Sequence, residues 1–314
     1  MPEQLPLFDK SRPPKTKLPD QVLKPIPIDK DHAASPSELV PPSAQFRFTN
    51  NYNISGALTG RLLRALSDES TASGFKQSDL ASKLTIPTAR ISSIFSFIRG
   101  AEMISTKNKL TPFGNLILSS DPYLLNAGLI WFLHFLISSN AYIIVWSRLF
   151  NYVFYRTDTA APADISTYYS DAKCGMSEYI FTWNGSKELG AILRSYADDL
   201  FKSLGLVIRI DLGHYTVLTD DFPIPPLIWL ASILAYRDRY YPKAATLETH
   251  LLVDANFSPG RLFRQNEASV RRALDMLHNA GLITAESRLG LDQVRFKGDY
   301  TWLSALTRYL QEGR

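Results

Sequence analysis

The sequence predicts a mainly α-helical fold with small β-hairpin wings, organised as tandem modules around a central helical core. Three observations carry that prediction. Apolar residues recur at three- and four-residue spacing through most of the chain after residue 45. Segments at 103–114, 207–218 and 283–298 read as hairpins that follow helices, turning near Asn108, Gly213 and Gly290. The stretch 122–147 holds no charged residue and reads as helix buried on every side.

With 314 residues the chain is long enough for two or three domains. Hydrophobic residues make up 45% and charged residues 20%, enough apolar surface to build packed cores. The net charge of +4 permits nucleic acid as a partner without requiring it. A single cysteine, Cys174, excludes an internal disulfide and a multi-cysteine zinc site. The N-terminus lacks the basic start and apolar core of a secretion signal, so a soluble, cytoplasmic protein is expected. The uncharged stretch is long enough to cross a bilayer, yet Asn126, His134, Ser138, Ser139 and Asn140 interrupt it. Ser138, Ser139 and Asn140 read as a turn between two buried helices, so no membrane span is expected.

The elements follow in order. Residues 1–45 hold ten of the nineteen prolines with balanced charge, six basic against six acidic, and read as a disordered arm. Residues 46–120 read as a first winged helix. Leu58, Leu62, Leu63 and Leu66 mark one helix, and Leu80 and Leu84 a second. After a turn at Pro87, Ile91, Ile94, Phe95 and Ile98 mark a third, and the 103–114 hairpin closes the unit. Residues 121–222 read as the helical core, ending in a long helix over 186–207 and the 207–218 hairpin. Residues 223–314 read as a C-terminal winged helix: a proline-opened helix, a short helix over 246–254, and a third helix capped by Asn266. The 283–298 hairpin and a terminal helix complete it.

No catalytic constellation emerges. The five histidines show neither i,i+4 pairing nor metalloprotease spacing, and the chain has no phosphate-cradling glycine loop and no nucleophile elbow. His134 reads as a core histidine, Asp220–Asp221 as a helix entry or solvated turn, and Cys174 as structural. A protein without enzymatic activity, cofactor or metal is therefore expected.

Two basic regions point to double-stranded DNA. Residues 76–110 carry six basic residues against two acidic ones. Thr88, Arg90, Ser92 and Ser93 fall off the apolar stripe of the third helix, where short hydroxyls and an arginine suit a major groove. Lys107 and Lys109 at the hairpin tip would meet phosphates. Residues 256–314 carry nine basic residues against six acidic ones, among them Arg264, Arg271, Arg272, Arg288, Arg295 and Lys297. In the arm, Gln4, Leu5, Leu7 and Phe8 resemble the QLxLF peptide that binds the bacterial sliding clamp.

The runs LTPFGNLILSSDPYL, LIWFLHFLI and FNYVF, with LLVDANFSPGRLFRQNEASVRRAL, resemble the bacterial family called domain of unknown function 4007. The family's opening His- and Phe-containing segment is replaced here by NNYNISGALTGRLLRAL at 50–66. The resemblance implies no activity. Family members tend to be encoded beside enzymes similar to phosphoadenosine-phosphosulfate reductases, in bacterial defence or DNA-modification islands. It therefore implies such an enzyme as a partner, and a DNA-binding accessory role in a phosphorothioation-like system. The alternative is a scaffold subunit whose winged helices dock a partner enzyme.

Overall fold

The computed structural model describes residues 45–312 apart from 69–76, 173–175, 220, 243, 289–290 and 299, so the expected arm lies outside it except for Gln45. An irregular segment that turns at Asn50 and Asn51 buries Phe46, Phe48 and Ile54 before the first helix, α1 (Gly56–Asp68). Leu62, Leu63 and Leu66 are buried, as their spacing predicts. Next come α2 (Gln77–Leu84) and α3 (Thr88–Gly100), with Pro87 at the N-cap position of α3. α3 buries Ile91, Ile94, Phe95 and Ile98, and also Ser93 and Phe97, because α1, α2 and a later helix pack on it.

The 103–114 hairpin is smaller than expected. One antiparallel bridge joins Ile104 to Leu110, and the chain then enters α4 (Pro112–Ser120). Thr111 caps α4 by accepting from Gly114 N at 3.1 Å, and Pro112 stands in its first turn, where its missing N–H costs nothing. A Cβ on Gly114 would lie 2.1 Å from the Met103 carbonyl oxygen. Gly114→Ala is expected to destabilise the fold by ~3 kcal/mol through this backbone clash, read as a lower urea midpoint. An unchanged midpoint would contradict this packing.

α5 (Ala127–Ser138) is buried at every position from Gly128 onward, which agrees with its uncharged sequence. Asn126 caps it by accepting from Leu129 N at 2.9 Å. The chain turns at 139–140 and continues as α6 (Ile144–Arg148), a π-helical turn (Leu149–Val153) and α7 (Phe154–Arg156).

β1 (Thr159–Ala160), α8 (Ile165–Tyr168), α9 (Glu178–Ala197), β2 (Val207–Asp211) and β3 (His214–Val217) follow. α9 starts earlier than the 186–207 reading and stops sooner. Ser177 caps its start, and its first turns leave Tyr179, Ile180 and Trp183 exposed, a pattern without an apolar stripe to betray the helix.

α10 (Pro226–Tyr240), β4 (Thr246–Glu248), α11 (Thr249–Val253), α12 (Pro259–Leu262), α13 (Glu267–Asn279), β5 (Ile283–Arg288), β6 (Leu291–Phe296) and α14 (Trp302–Glu312) complete the chain. The expected helix over 246–254 is thus split: its first three residues pair with β6, matching Leu247 to Val294.

The protein is mainly helical with two small antiparallel sheets, ordered β1-β3-β2 and β4-β6-β5. In each, a short early strand pairs with the last strand of a later hairpin, and helices lie between them. Buried side chains from Phe46 to Tyr309 form one continuous hydrophobic core. α5 and α10 run through it in mutual contact. Among the described residues, no helix is long and apolar enough to cross a membrane.

Candidate nucleic-acid interface

α13 is amphipathic and carries Arg271 and Arg272. Asn266 caps it by accepting from Ser269 N at 2.9 Å, and Val270, Ala273, Leu274 and Leu277 form its buried stripe. The opposite side presents Ala268, Arg272, Asp275, Met276 and Asn279 to solvent. Arg271 sits between helix and sheet. It donates to Glu267 at 2.8 Å and, through both terminal nitrogens, to Asp292 on β6 at 2.6 and 3.2 Å. That contact holds the Asp292 carboxyl below the usual carboxylate range. Arg271 thereby fixes the angle between α13 and the hairpin.

Arg272 pairs with Asp221 and donates to Ser269 Oγ at 2.9 Å. Arg295 reaches Glu286 at 3.3 Å, and Gln293 donates to the same carboxylate at 2.7 Å. Gln293 first, then Arg295, lowers the Glu286 pKa. Arg288 and Lys297 are exposed on the hairpin and, among the described residues, form no ion pair.

Arg264 does not belong to this face. Its backbone is left-handed (φ 56°), and its half-buried guanidinium donates to Phe154 O at 2.6 Å, Thr219 Oγ at 2.9 Å and Asp158 at 3.2 Å. Burial lowers its pKa, with Asp158 opposing. It ties the C-terminal unit to α7 and to Asp158 and Thr219, because an arginine brought into the interior needs carbonyl and carboxylate partners.

In the first unit the helix and hairpin differ. Thr88 is exposed at the start of α3. Arg90 lies half-buried over the Tyr52 ring, 5.9 Å from its centroid. Ser92 donates to Gln77 at 2.7 Å. Ser93, expected on the polar side, is fully buried, because packing covers both flanks of α3. Lys107 and Lys109 are exposed at the hairpin tip, which Arg99 braces by donating to Asn108 at 2.5 Å. Of the cations expected to face DNA in this unit, Lys107 and Lys109 are the exposed ones, while Arg90 is half-buried.

Among the described residues, no three His, Cys, Asp or Glu side chains are grouped to hold a metal ion. Asp221 pairs with Arg272, while Asp220, Cys174, Gln4, Leu5, Leu7 and Phe8 lie outside the described residues. His134 is a core residue. Its Nε2 donates to Leu262 O at 2.9 Å, so Nδ1 is the acceptor for Tyr196 Oη at 2.5 Å, with Ser138 Oγ at 3.1 Å. Burial lowers its pKa to about 4.

The two runs LFN and SPGRLF meet in space, which their separation in sequence hides. Asn151 Nδ2 donates to the carbonyls of Ser138 and Ser147 at 3.0 and 2.8 Å, and its Oδ1 accepts from Phe257 N at 2.6 Å. Arg261 donates to Asn151 O at 3.2 Å and to Asn256 Oδ1 at 2.5 Å while lying 4.0 Å over the Tyr155 ring. A Cβ on Gly260 would lie 2.4 Å from Val253 O. These residues form a clasp between the central helices and the C-terminal unit.

Two solved structures share this fold. One, described as magnesium ion-bound SspB, aligns with a TM-score of 0.69 at 14% identity over 87% of this chain and 90% of that one. Another SspB structure gives 0.66 at 15% identity over 86% and 88%. No curated protein sequence matches the chain. The model of the family described as protein of unknown function, DUF4007, matches residues 63–310, and the chain belongs to that family.

Proposed function

We propose that this chain is a non-enzymatic, winged-helix DNA-binding accessory protein of a bacterial phage-defence or DNA-modification system. The observation that carries the reading is the C-terminal unit. There α10, β4, α11, α12, α13 and the β5–β6 hairpin run in an order compatible with a winged helix carrying one extra short helix, α13 turns a polar face outward, and Arg288, Arg295 and Lys297 are exposed on or next to the hairpin. Such a helix enters a major groove while hairpin cations meet phosphates. Lys107 and Lys109 supply a second basic tip. The strand order β1-β3-β2 repeats the same plan in the middle unit.

The defence or modification setting, with a cytoplasmic location, rests on the company the family keeps with phosphoadenosine-phosphosulfate-reductase-like enzymes. Residues 161–222, with nine acidic side chains against five basic ones, would dock such an enzyme, and Gln4, Leu5, Leu7 and Phe8 a sliding clamp. One observation favours the scaffold reading instead: β2 is an edge strand that exposes Ile208 and Ile210, and the turn after it exposes Leu212.

A labelled duplex of ~30 base pairs, titrated across a salt series, separates the two. The DNA reading expects affinity that falls steeply with salt. A pure scaffold shows no duplex binding at low salt and captures a protein partner through the β2 edge.

A further inference from the structure

We infer that the exposed aromatic row on α9 is a stacking platform for unpaired nucleobases, giving this chain a single-strand site separate from its duplex face. The inference goes beyond the duplex reading and does not depend on it. Tyr179, Trp183 and Lys187 recur every four residues and so share one helix face. The two rings lie 9° from parallel with centroids 6.4 Å apart, and Lys187 Nζ stands 3.7 Å from the Trp183 ring centroid. Tyr179 is 74% and Trp183 54% exposed, although burying each such ring would gain about 2 kcal/mol.

The row has the chemistry of a single-strand platform. Flat aromatic faces accept any base, since every base has a π-face, at ~1–3 kcal/mol per stacked base. Four helical residues advance ~6 Å, close to two base rises of ~3.4 Å, so the rings keep step with a stacked strand. The Lys187 ammonium completes the match: it lies over one face of the Trp183 ring and adds positive charge to the row, within reach of a phosphate flanking a base stacked on the faces left open. Glu178, at the head of the row, accepts from Thr182 Oγ1 at 3.4 Å and points its charge into the helix's own first turn. A peptide partner would use the apolar area of the rings but not their parallel faces or the cation.

The chain carries its own probe. Trp131, Trp146 and Trp229 are buried, and Trp302 is partly buried against Phe113 and Phe132. Trp183 is therefore the tryptophan a ligand can reach. Oligo(dT) of ~10 nucleotides, added to the full chain, is expected to quench tryptophan emission. Trp183→Phe should keep the affinity, read by anisotropy of labelled oligonucleotide, and lose most of the quenching. Trp183→Ala and Tyr179→Ala should each weaken binding by about 10-fold, with thermal unfolding unchanged since both rings are exposed. Lys187→Ala should lower both affinity and its salt slope. Reversing Arg288 and Lys297 to Glu should weaken duplex binding and leave this quenching in place, which separates the two sites. Unaltered oligonucleotide affinity in Trp183→Ala, or binding without quenching, or no binding at all, overturns the inference.

Discussion

His134→Ala is expected to destabilise the protein by about 4 kcal/mol at neutral pH. The imidazole is fully buried and joins three segments: α5, α9 through Tyr196, and α12 through Leu262 O. Trp146 Nε1 donates to Tyr196 Oη at 3.0 Å, so the phenol in turn gives its proton to His134. Removing the ring leaves a cavity among Phe150, Phe263 and Trp131 and strands the Leu262 carbonyl without a donor. The same residue gives the fold an acid limit. Its pKa falls from an ordinary 6.5 to about 4 because burial opposes the charged form. A depressed folded pKa means the contribution is whole above pH ~6.5 and is lost as pH falls towards about 4, a span worth about 3 kcal/mol. Urea unfolding of the parent at pH 7 and pH 4.5 should show this loss. A variant with an apolar ring, His134→Phe, should show a smaller one. Equal pH dependence in the two would remove His134 as its source.

Glu188→Ala is expected to cost about 3 kcal/mol or more and to release the segment before α1. The carboxylate of this α9 residue is buried and accepts the backbone N–H groups of Phe48 at 2.9 Å and Thr49 at 2.5 Å. Those groups have no other partner in the interior once it is gone. Proteolysis near residues 46–53 should rise sharply in this variant, and much less in Glu188→Gln, whose amide oxygen can still accept. Burial pushes the Glu188 pKa up, with the Thr49 and Phe48 N–H groups opposing. A raised folded pKa has the opposite sign to His134: its stabilisation is present below the ordinary carboxylate range and lost as pH rises through the folded value. Glu188→Gln should erase that component. Unchanged cleavage in Glu188→Ala would show that other contacts hold the segment.

Much of the helical framework was legible because local rules decide it. The leucines of α1, the Asn266 cap and the uncharged α5 each report their surroundings within a few residues. What escaped depends on distant chain. Ser93 is polar and off the stripe, yet α1, α2 and α5 enclose it. Arg264 looked like one more surface cation, but its partners Phe154 and Asp158 are more than a hundred residues away in sequence. Two- and three-residue strands such as β1 and β4 are too short to show alternation. The candidate interface was legible as charge and not as geometry. Composition places Arg271, Arg272, Arg288, Arg295 and Lys297 together, while only the fold shows Arg271 clamped to Asp292 and Arg288 and Lys297 facing outward.

The most direct test of the account is duplex affinity measured from ~50 to ~200 mM salt for three proteins: the parent, Arg288→Glu/Lys297→Glu, and Lys107→Glu/Lys109→Glu. The parent is expected to show a steep fall with salt, the C-terminal pair a loss of at least about 10-fold with a shallower slope, and the N-terminal pair a smaller loss. No parent binding at low salt, or equal binding by all three, would contradict it.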